Sequence, residues 1–348
     1  MFRSHSGGER GGGRIAENAR KDPRAKSPEV YVYAKKYVYK KLPEQVKYIP
    51  NMVKVYDATS PTPPIKVVVF DLDDTIGHFP DLYRLWNALF TKHIYRGNRD
   101  PETIQQVFNE LLDLYPEFLR YGILPILQFL KTKIRNGESR RIYLYTNNQC
   151  DFSVWTQTCS HSPTEWVEMI IAYLNRKLAV SDTIFGKPVC AFKINEKFIE
   201  PLRESHAKTH SEFLKCTILP KNTEICFVDD QYYEKMNHDK VYYVRPPPYY
   251  HNLSRDEIID RFVHSELHAK ITSVSSDWLR QEMPTPMPTP TPISGAGIDS
   301  PPCPPNDSHH RIYSKMMYYI KEFFCMTVRP ANTRRKRDSL GRFTRKKR

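Results

Sequence analysis

The seven cysteines of this 348-residue chain, at 150, 159, 190, 216, 226, 303 and 325, are odd in number and include no CxxC pair. That argues against a disulfide framework or a zinc ribbon and for a reducing compartment. No stretch approaches the ~20 apolar residues of a membrane span. The N-terminal MFRSHSGGERGGGR lacks the apolar core of a signal peptide. The expectation is an intracellular chain without membrane contact. No GxxxxGK[ST] phosphate loop occurs, so a kinase half of that kind is absent. Acidic residues are scarce at the two ends. Residues 1–41 carry a net +7 and residues 334–348 a net +8, while the whole chain is +14, so residues 42–333 carry −1. The globular part is near neutral, and the basic ends suit polyanions such as nucleic acid, acidic proteins or a nuclear-import receptor.

A hydrophobic content of 40% is enough for a core, and 28 prolines with a mean hydropathy of −0.60 place part of the chain outside it. Residues 1–28 read as a disordered basic tail. Residues 29–64 read as an extended arm rich in tyrosine and lysine, with an added edge strand preferred over stacking on single-stranded nucleic acid. The body spans 65–275. Apolar strands are expected at 65–70, 141–145, 224–228 and 240–244. Helices are expected at 82–90, 103–114 (opened by Asp100-Pro101), 122–133, 166–178, 208–215 and 254–267, the last with Ser254 and Glu257 as a capping box. The helical stretch at about 79–118 is a candidate small cap insertion. Residues 276–310 read as a proline-rich linker, 311–330 as a candidate docking helix and 331–348 as a second basic tail. Alternating strands and helices predict an α/β fold with a parallel, Rossmann-like sheet in three layers.

Three of the strands end in polar clusters. IKVVVFDLDDTI at 65–76 ends in Asp71, Asp73, Asp74 and Thr75, RIYLY in Thr146-Asn147-Asn148, and EICFV in Asp229-Asp230. Carboxylates at buried strand ends are costly unless paired or bound to metal, and open α/β sheets put their chemistry at that edge. Residues i and i+2 of an extended chain share a side, so Asp71 and Asp73 are expected to converge on one ligand. Lys208 lies between the last two clusters, with Lys187 and Lys215 as competitors. His206 and His210 flank it without a third ligand at zinc spacing.

Asp71-x-Asp73-x-Thr75, a strand ending in Thr146, a lysine before the last strand and the Asp229-Asp230 pair together resemble the haloacid dehalogenase (HAD) superfamily of phosphotransferases. Within it, YTNNQ, ICFVDDQYY and the basic tail look like the RNA polymerase II C-terminal-domain phosphatase and NLI-interacting-factor-like branch, especially versions in large DNA viruses. DLDDT replaces the DLDET usual in the cellular enzymes.

The resemblance implies a magnesium-dependent phosphomonoester hydrolase working through an aspartyl-phosphate. Asp71 is then nucleophile and metal ligand, and Asp73 is the acid/base that also lends its main-chain carbonyl to the metal. Asp229 is a further metal ligand, and Asp230 orients the metal shell or Lys208. Thr146 and Asn147 bind the phosphoryl oxygens, and Lys208 neutralises charge at Asp71. Asp74 is a loop carboxylate, Thr75 shapes the turn that presents Asp73, and His78 is a surface histidine. The expected substrate is a phosphorylated protein of the polymerase C-terminal-domain type, in the nucleus or the cytoplasmic viral factory of a host cell. The alternatives are a phosphatase of nucleic-acid ends, and a non-catalytic scaffold of the same fold whose tails bind nucleic acid.

Overall fold

The computed structural model describes residues 29–40, 55–56, 64–90, 100–148, 166–194, 196–271, 274–283 and 306–328. The two basic tails and the proline-rich run from 284 lie outside the described residues. The chain opens with β1 (Tyr31–Tyr33), β2 (Tyr37–Lys40) and β3 (Val55–Tyr56), then enters β4 (Lys66–Phe70). Three helices follow: α1 (Pro80–Leu89), α2 (Pro101–Leu114) and α3 (Ile123–Arg135). Next come β5 (Ile142–Leu144), α4 (Trp166–Lys177), the hairpin β6 (Lys193–Ile194) and β7 (Lys197–Phe198), α5 (His210–Thr217), β8 (Glu224–Val228) and β9 (Val241–Arg245). The chain closes with α6 (Arg255–Val263), α7 (Glu266–Ile271), α8 (Ser276–Glu282), α9 (Asn306–Cys325) and β10 (Met326–Val328).

The central sheet has the order β1-β9-β8-β4-β5. β4, β5, β8 and β9 are parallel, and β1 joins antiparallel to β9, so the arm does supply an edge strand. Strand side chains alternate between two faces. Val68, Phe70, Cys226 and Val228 enter a large core shared with most of the helices, and Val67, Val69, Ile225 and Phe227 enter a smaller one with Phe213 of α5. Burial on both faces is why these strands read as unbroken apolar runs. The apolar sides of α1 and α2 lie in the large core with the sheet.

Several elements depart from expectation. The helix from Ser254 keeps its capping box, yet it breaks after Val263, where the Ser265 hydroxyl accepts from His268 N (3.1 Å) and starts α7. α8 occupies the start of the expected linker. Ser275 caps it by accepting from Trp278 N, and Leu279 is fully buried. The expected docking helix starts earlier and docks on this chain. Ile312, Met316, Ile320 and Phe323 form a buried stripe at helical spacing, and β10 then pairs with β2. Lys66, at the start of β4, is buried in an ion pair with Glu224 (2.7 Å) and donates to the Phe323 and Met326 carbonyls where α9 passes into β10. Cys190 is disulfide-bonded, while among the described residues Cys216, Cys226 and Cys325 are free. No helix among the described residues is long and apolar enough to cross a membrane.

Candidate active site

The polar clusters meet at the C-terminal edge of the sheet, as the parallel order requires. Beyond β4 the ladder continues for one residue, with Asp71 N donating to Val228 O (2.9 Å). The chain then folds on itself: Ile76 N donates to Leu72 O (2.9 Å) and Asp74 N to Gly77 O (2.7 Å). Asp74 sits at φ 57°, a left-handed conformation that aspartate tolerates, and pairs with His78 Nδ1 at 2.6 Å. Gly77 passes so close to the next segment that a Cβ would lie 2.4 Å from the Phe118 carbonyl oxygen. Buried Arg120 ties this loop from behind, donating to the carbonyls of Thr75, Asp74 and Pro247.

Lys208 Nζ lies 2.5 Å from Asp71 Oδ1 and 2.7 Å from Asp229 Oδ2, with its side chain 1% exposed. It precedes α5 rather than starting it, because Thr209 caps that helix by accepting from Glu212 N (3.1 Å). The rivals Lys187 and Lys215 are exposed. Asp71, Asp229 and Asp230 each offer a carboxylate oxygen within 4.8 Å of the others. Thr75 holds Asp230, donating from Oγ1 to Oδ1 (2.9 Å) and accepting from Asp230 N (3.0 Å). Thr75, in the turn after Asp73, therefore fixes Asp230 with both the donor and the acceptor side of its hydroxyl.

Burial disfavours the charge on all these groups. It raises Asp71 and Asp229 above the usual carboxylate range against the pull of Lys208. Burial, then the Asp71 charge, pushes Asp73 up to about 7 and Asp230 up to about 6. Lys208 is disfavoured by burial, but Asp71 and Asp229 hold it above the ordinary lysine range. Three buried carboxylates facing one buried ammonium leave excess negative charge, and the donors are all oxygen. That set fits a hard divalent cation such as magnesium.

Asp73 does not join the three. Its Oδ2 accepts from Asn148 Nδ2 (3.0 Å). The expected convergence of Asp71 and Asp73 on one ligand assumed an extended chain, and the strand has already ended. Asp230 lies beside Asp71 and Asp229, and of the two groups it is expected to orient, a metal shell or Lys208, no hydrogen bond joins it to Lys208 among the described residues.

Thr146 follows β5. Its N donates to Val189 O (2.9 Å) and its Oγ1 accepts from Asn148 N (2.9 Å). Two residues that organise this corner had no signal in the sequence. Buried Arg203 donates to the carbonyls of Thr146, Cys190 and His206 and to Asn147 Oδ1 (2.8 Å). It thereby joins the 146–147 loop to the lead-in of Lys208. Tyr145 accepts from Thr209 N (3.1 Å) on its hydroxyl. Among the described residues His206 and His210 find no third ligand. His206 lies against Phe192, and His210 stacks on His238 with ring centroids 3.9 Å apart. His78, half-buried against Asp74, stands outside the cleft lining.

A cleft of about 680 Å³ opens over this cluster. Asp71, Asp73, Thr146, Asn147, Asn148 and Lys208 line it, and Phe79, Pro80, Tyr83 and Arg84 at the start of α1 form a wall. Asp229 and Asp230 sit behind it. Comparisons with protein-family models, with curated proteins and with solved structures find no match. The chain is therefore defined by its own architecture: a mostly parallel α/β sheet carrying a lysine-bridged acidic cleft at its C-terminal edge.

Proposed function

We propose that this cleft hydrolyses phosphomonoesters through an aspartyl-phosphate on Asp71, in a fold of the haloacid dehalogenase type. The observation that carries the reading is the meeting of two differently placed carboxylates with Lys208 and Thr146 in one cleft. Asp71 is held by Lys208 and faces the cluster, while Asp73 is held by Asn148 apart from it. Nucleophilic displacement at phosphorus needs one ionised carboxylate and a second that exchanges a proton.

Asp71, Asp229 and Asp230 would hold magnesium, which when bound offsets the repulsion between a phosphate dianion and the Asp71 carboxylate. The rest falls to this chain's own groups. Asp71 attacks phosphorus, Asp73 gives its proton to the leaving oxygen, and Asp73 then takes a proton from the water that cleaves the acyl phosphate. Lys208 stabilises charge on the Asp71 oxygen and the transferring group. Asn147, whose Oδ1 accepts from Arg203 (2.8 Å) and whose Nδ2 donates to the Tyr233 hydroxyl (3.3 Å), offers its main-chain N–H to the phosphoryl oxygens beside Thr146, and the start of α1 plays the part of a cap. The substrate we assign is a phosphorylated protein.

The test is a panel of aryl phosphate, phosphopeptide and 5′- and 3′-phosphorylated oligonucleotides, with and without magnesium. Asp71→Asn should lose turnover by roughly 10³-fold or more. Equal turnover by wild type and variant removes the nucleophile, and no turnover on any substrate leaves a scaffold. Preference for oligonucleotides that weakens steeply with salt moves the substrate to nucleic-acid ends.

A further inference from the structure

Asn148 is fixed through its main chain at both polar groups. Its N–H donates to Thr146 Oγ1 (2.9 Å), and its carbonyl accepts from Ala191 N (3.1 Å). The backbone therefore needs nothing from the side chain. The side chain nevertheless lines the cleft and aims its amide at Asp73 Oδ2, 3.0 Å away. An amide nitrogen can only donate. It occupies Oδ2 and leaves Oδ1 as the oxygen of Asp73 that can carry a proton. Asp73 has no other hydrogen bond among those found for its side chain in the described residues, and it sits in the turn after the strand, where its backbone bridges to Gly77 and leaves the side chain to be aimed by Asn148.

We propose that Asn148 is a positioning residue, setting which oxygen of Asp73 delivers the proton to the departing alcohol; this rests on the reading of the cleft as a phosphatase. In the step concerned, the bond from an Asp71 oxygen to phosphorus forms and the bond from phosphorus to the ester oxygen breaks. The proton on Asp73 Oδ1 moves to that ester oxygen, and the electron pair of the broken bond stays with it. How much the proton matters depends on the leaving group. An alkoxide, as from serine, cannot depart without it. A nitrophenolate is stable enough to leave nearly unassisted. A misaligned Asp73 therefore penalises alkyl esters and largely spares activated aryl esters. A merely structural role for Asn148 would lower both alike.

The experiment measures kcat/KM, which covers substrate binding through departure of the leaving group, for wild type, Asn148→Ala and Asp73→Asn in magnesium. The substrates are a phosphoserine peptide and p-nitrophenyl phosphate. General acid catalysis contributes about 10²–10⁴-fold. Losing its alignment should cost Asn148→Ala at least about tenfold more on the peptide than on the aryl ester, in the same sense as Asp73→Asn. Adding Asn148→Ala to Asp73→Asn should cost little more, since the group it positions is already gone. If Asn148→Ala fails to fold, Asn148→Leu keeps the shape, removes the donor and must show the same skew. Equal losses on the two substrates, or full additivity with Asp73→Asn, overturn the inference while leaving the phosphatase intact. A wild type inactive on both substrates overturns the phosphatase reading, and this inference with it.

Discussion

Replacing Lys208 by methionine should destabilise the fold in a way that magnesium and acid both repair. Methionine keeps the length and apolar stem of lysine and removes the charge. In the native chain the ammonium lies 2.5 Å from Asp71 Oδ1 and 2.7 Å from Asp229 Oδ2, with the Asp229 side chain fully buried. Removing one partner of a buried ion pair costs about 3–5 kcal/mol, because the other charge stays behind without compensation. Here two carboxylates lose their partner at once, and Asp230 stands beside them. In urea, with a slope of about 3 kcal/mol per molar, the unfolding midpoint should fall by roughly 1–2 M in metal-free buffer at pH 8. Magnesium at about a hundredfold over its dissociation constant should return about 2.7 kcal/mol, and more to the variant than to wild type, since it replaces the lost charge. Acid should act the same way. A carboxylate whose folded pKa is raised is more protonated in the native state than in the unfolded chain. Its stabilisation is complete below the unfolded value of 3.8 and is lost as pH rises through the folded value. The deficit should therefore shrink between pH 8 and pH 6. A variant as stable as wild type without metal, or a deficit indifferent to magnesium and pH, would refute the account of Lys208 as the counter-charge of this cluster.

Three other outcomes can be checked with the same melts. Phe323→Ala, which empties a fully buried position in α9, should cost about 3–5 kcal/mol; a loss near zero would mean α9 is not part of the core. His210 is driven down to about 4 by burial and then by the neighbouring His238 and Lys240, so between pH 6.5 and about 4 the unfolded chain binds a proton that the native chain refuses. Stability should fall as pH drops through that window, and His210→Gln should flatten the slope. Arg203→Met strands three carbonyls and the Asn147 amide, and it should cost about 2–4 kcal/mol and raise KM for any phosphomonoester. An unchanged KM would separate Arg203 from the phosphate site.

The parts of the fold that were legible in the sequence are those whose signal is local. β8 coincides with EICFV, Asp100 caps α2 as the Asp100-Pro101 pair suggests, and Ser254 and Glu257 form their box. What escaped notice depends on residues far apart in the chain. β10 is a strand only because β2 lies beside it, with Val328 paired to Tyr37. Glu322 carries no signal in its own stretch, and its carboxylate accepts from the hydroxyls of Tyr39 and Tyr242, which the sequence places nowhere near it. α8 was hidden by its neighbour, since proline-rich composition downstream masked a seven-residue helix with an ordinary serine cap.

The site shows the same division. Asp71, Thr146 and Asp229 follow apolar strands directly, so strand order alone brings them to one edge. The expected convergence of Asp71 and Asp73 on one ligand extends that logic past the strand end, where it no longer applies. The period of two holds while the ladder lasts, and the ladder stops at Asp71. Two residues later the chain is in a closed turn, so Asp73 meets Asn148 across the cleft mouth while Asp230, held by Thr75, fills in beside Asp71. This difference matters to the chemistry proposed. Had both carboxylates of the DxD pair faced the same cation, both would have been held ionised, and neither could carry a proton to a leaving group. The turn separates them by partner: Asp71 is bonded to the lysine beside the other acidic groups, and Asp73 is bonded to a neutral amide while still feeling the Asp71 charge. A nucleophile and an acid/base two residues apart need that separation, and the short loop from Leu72 to Gly77 supplies it.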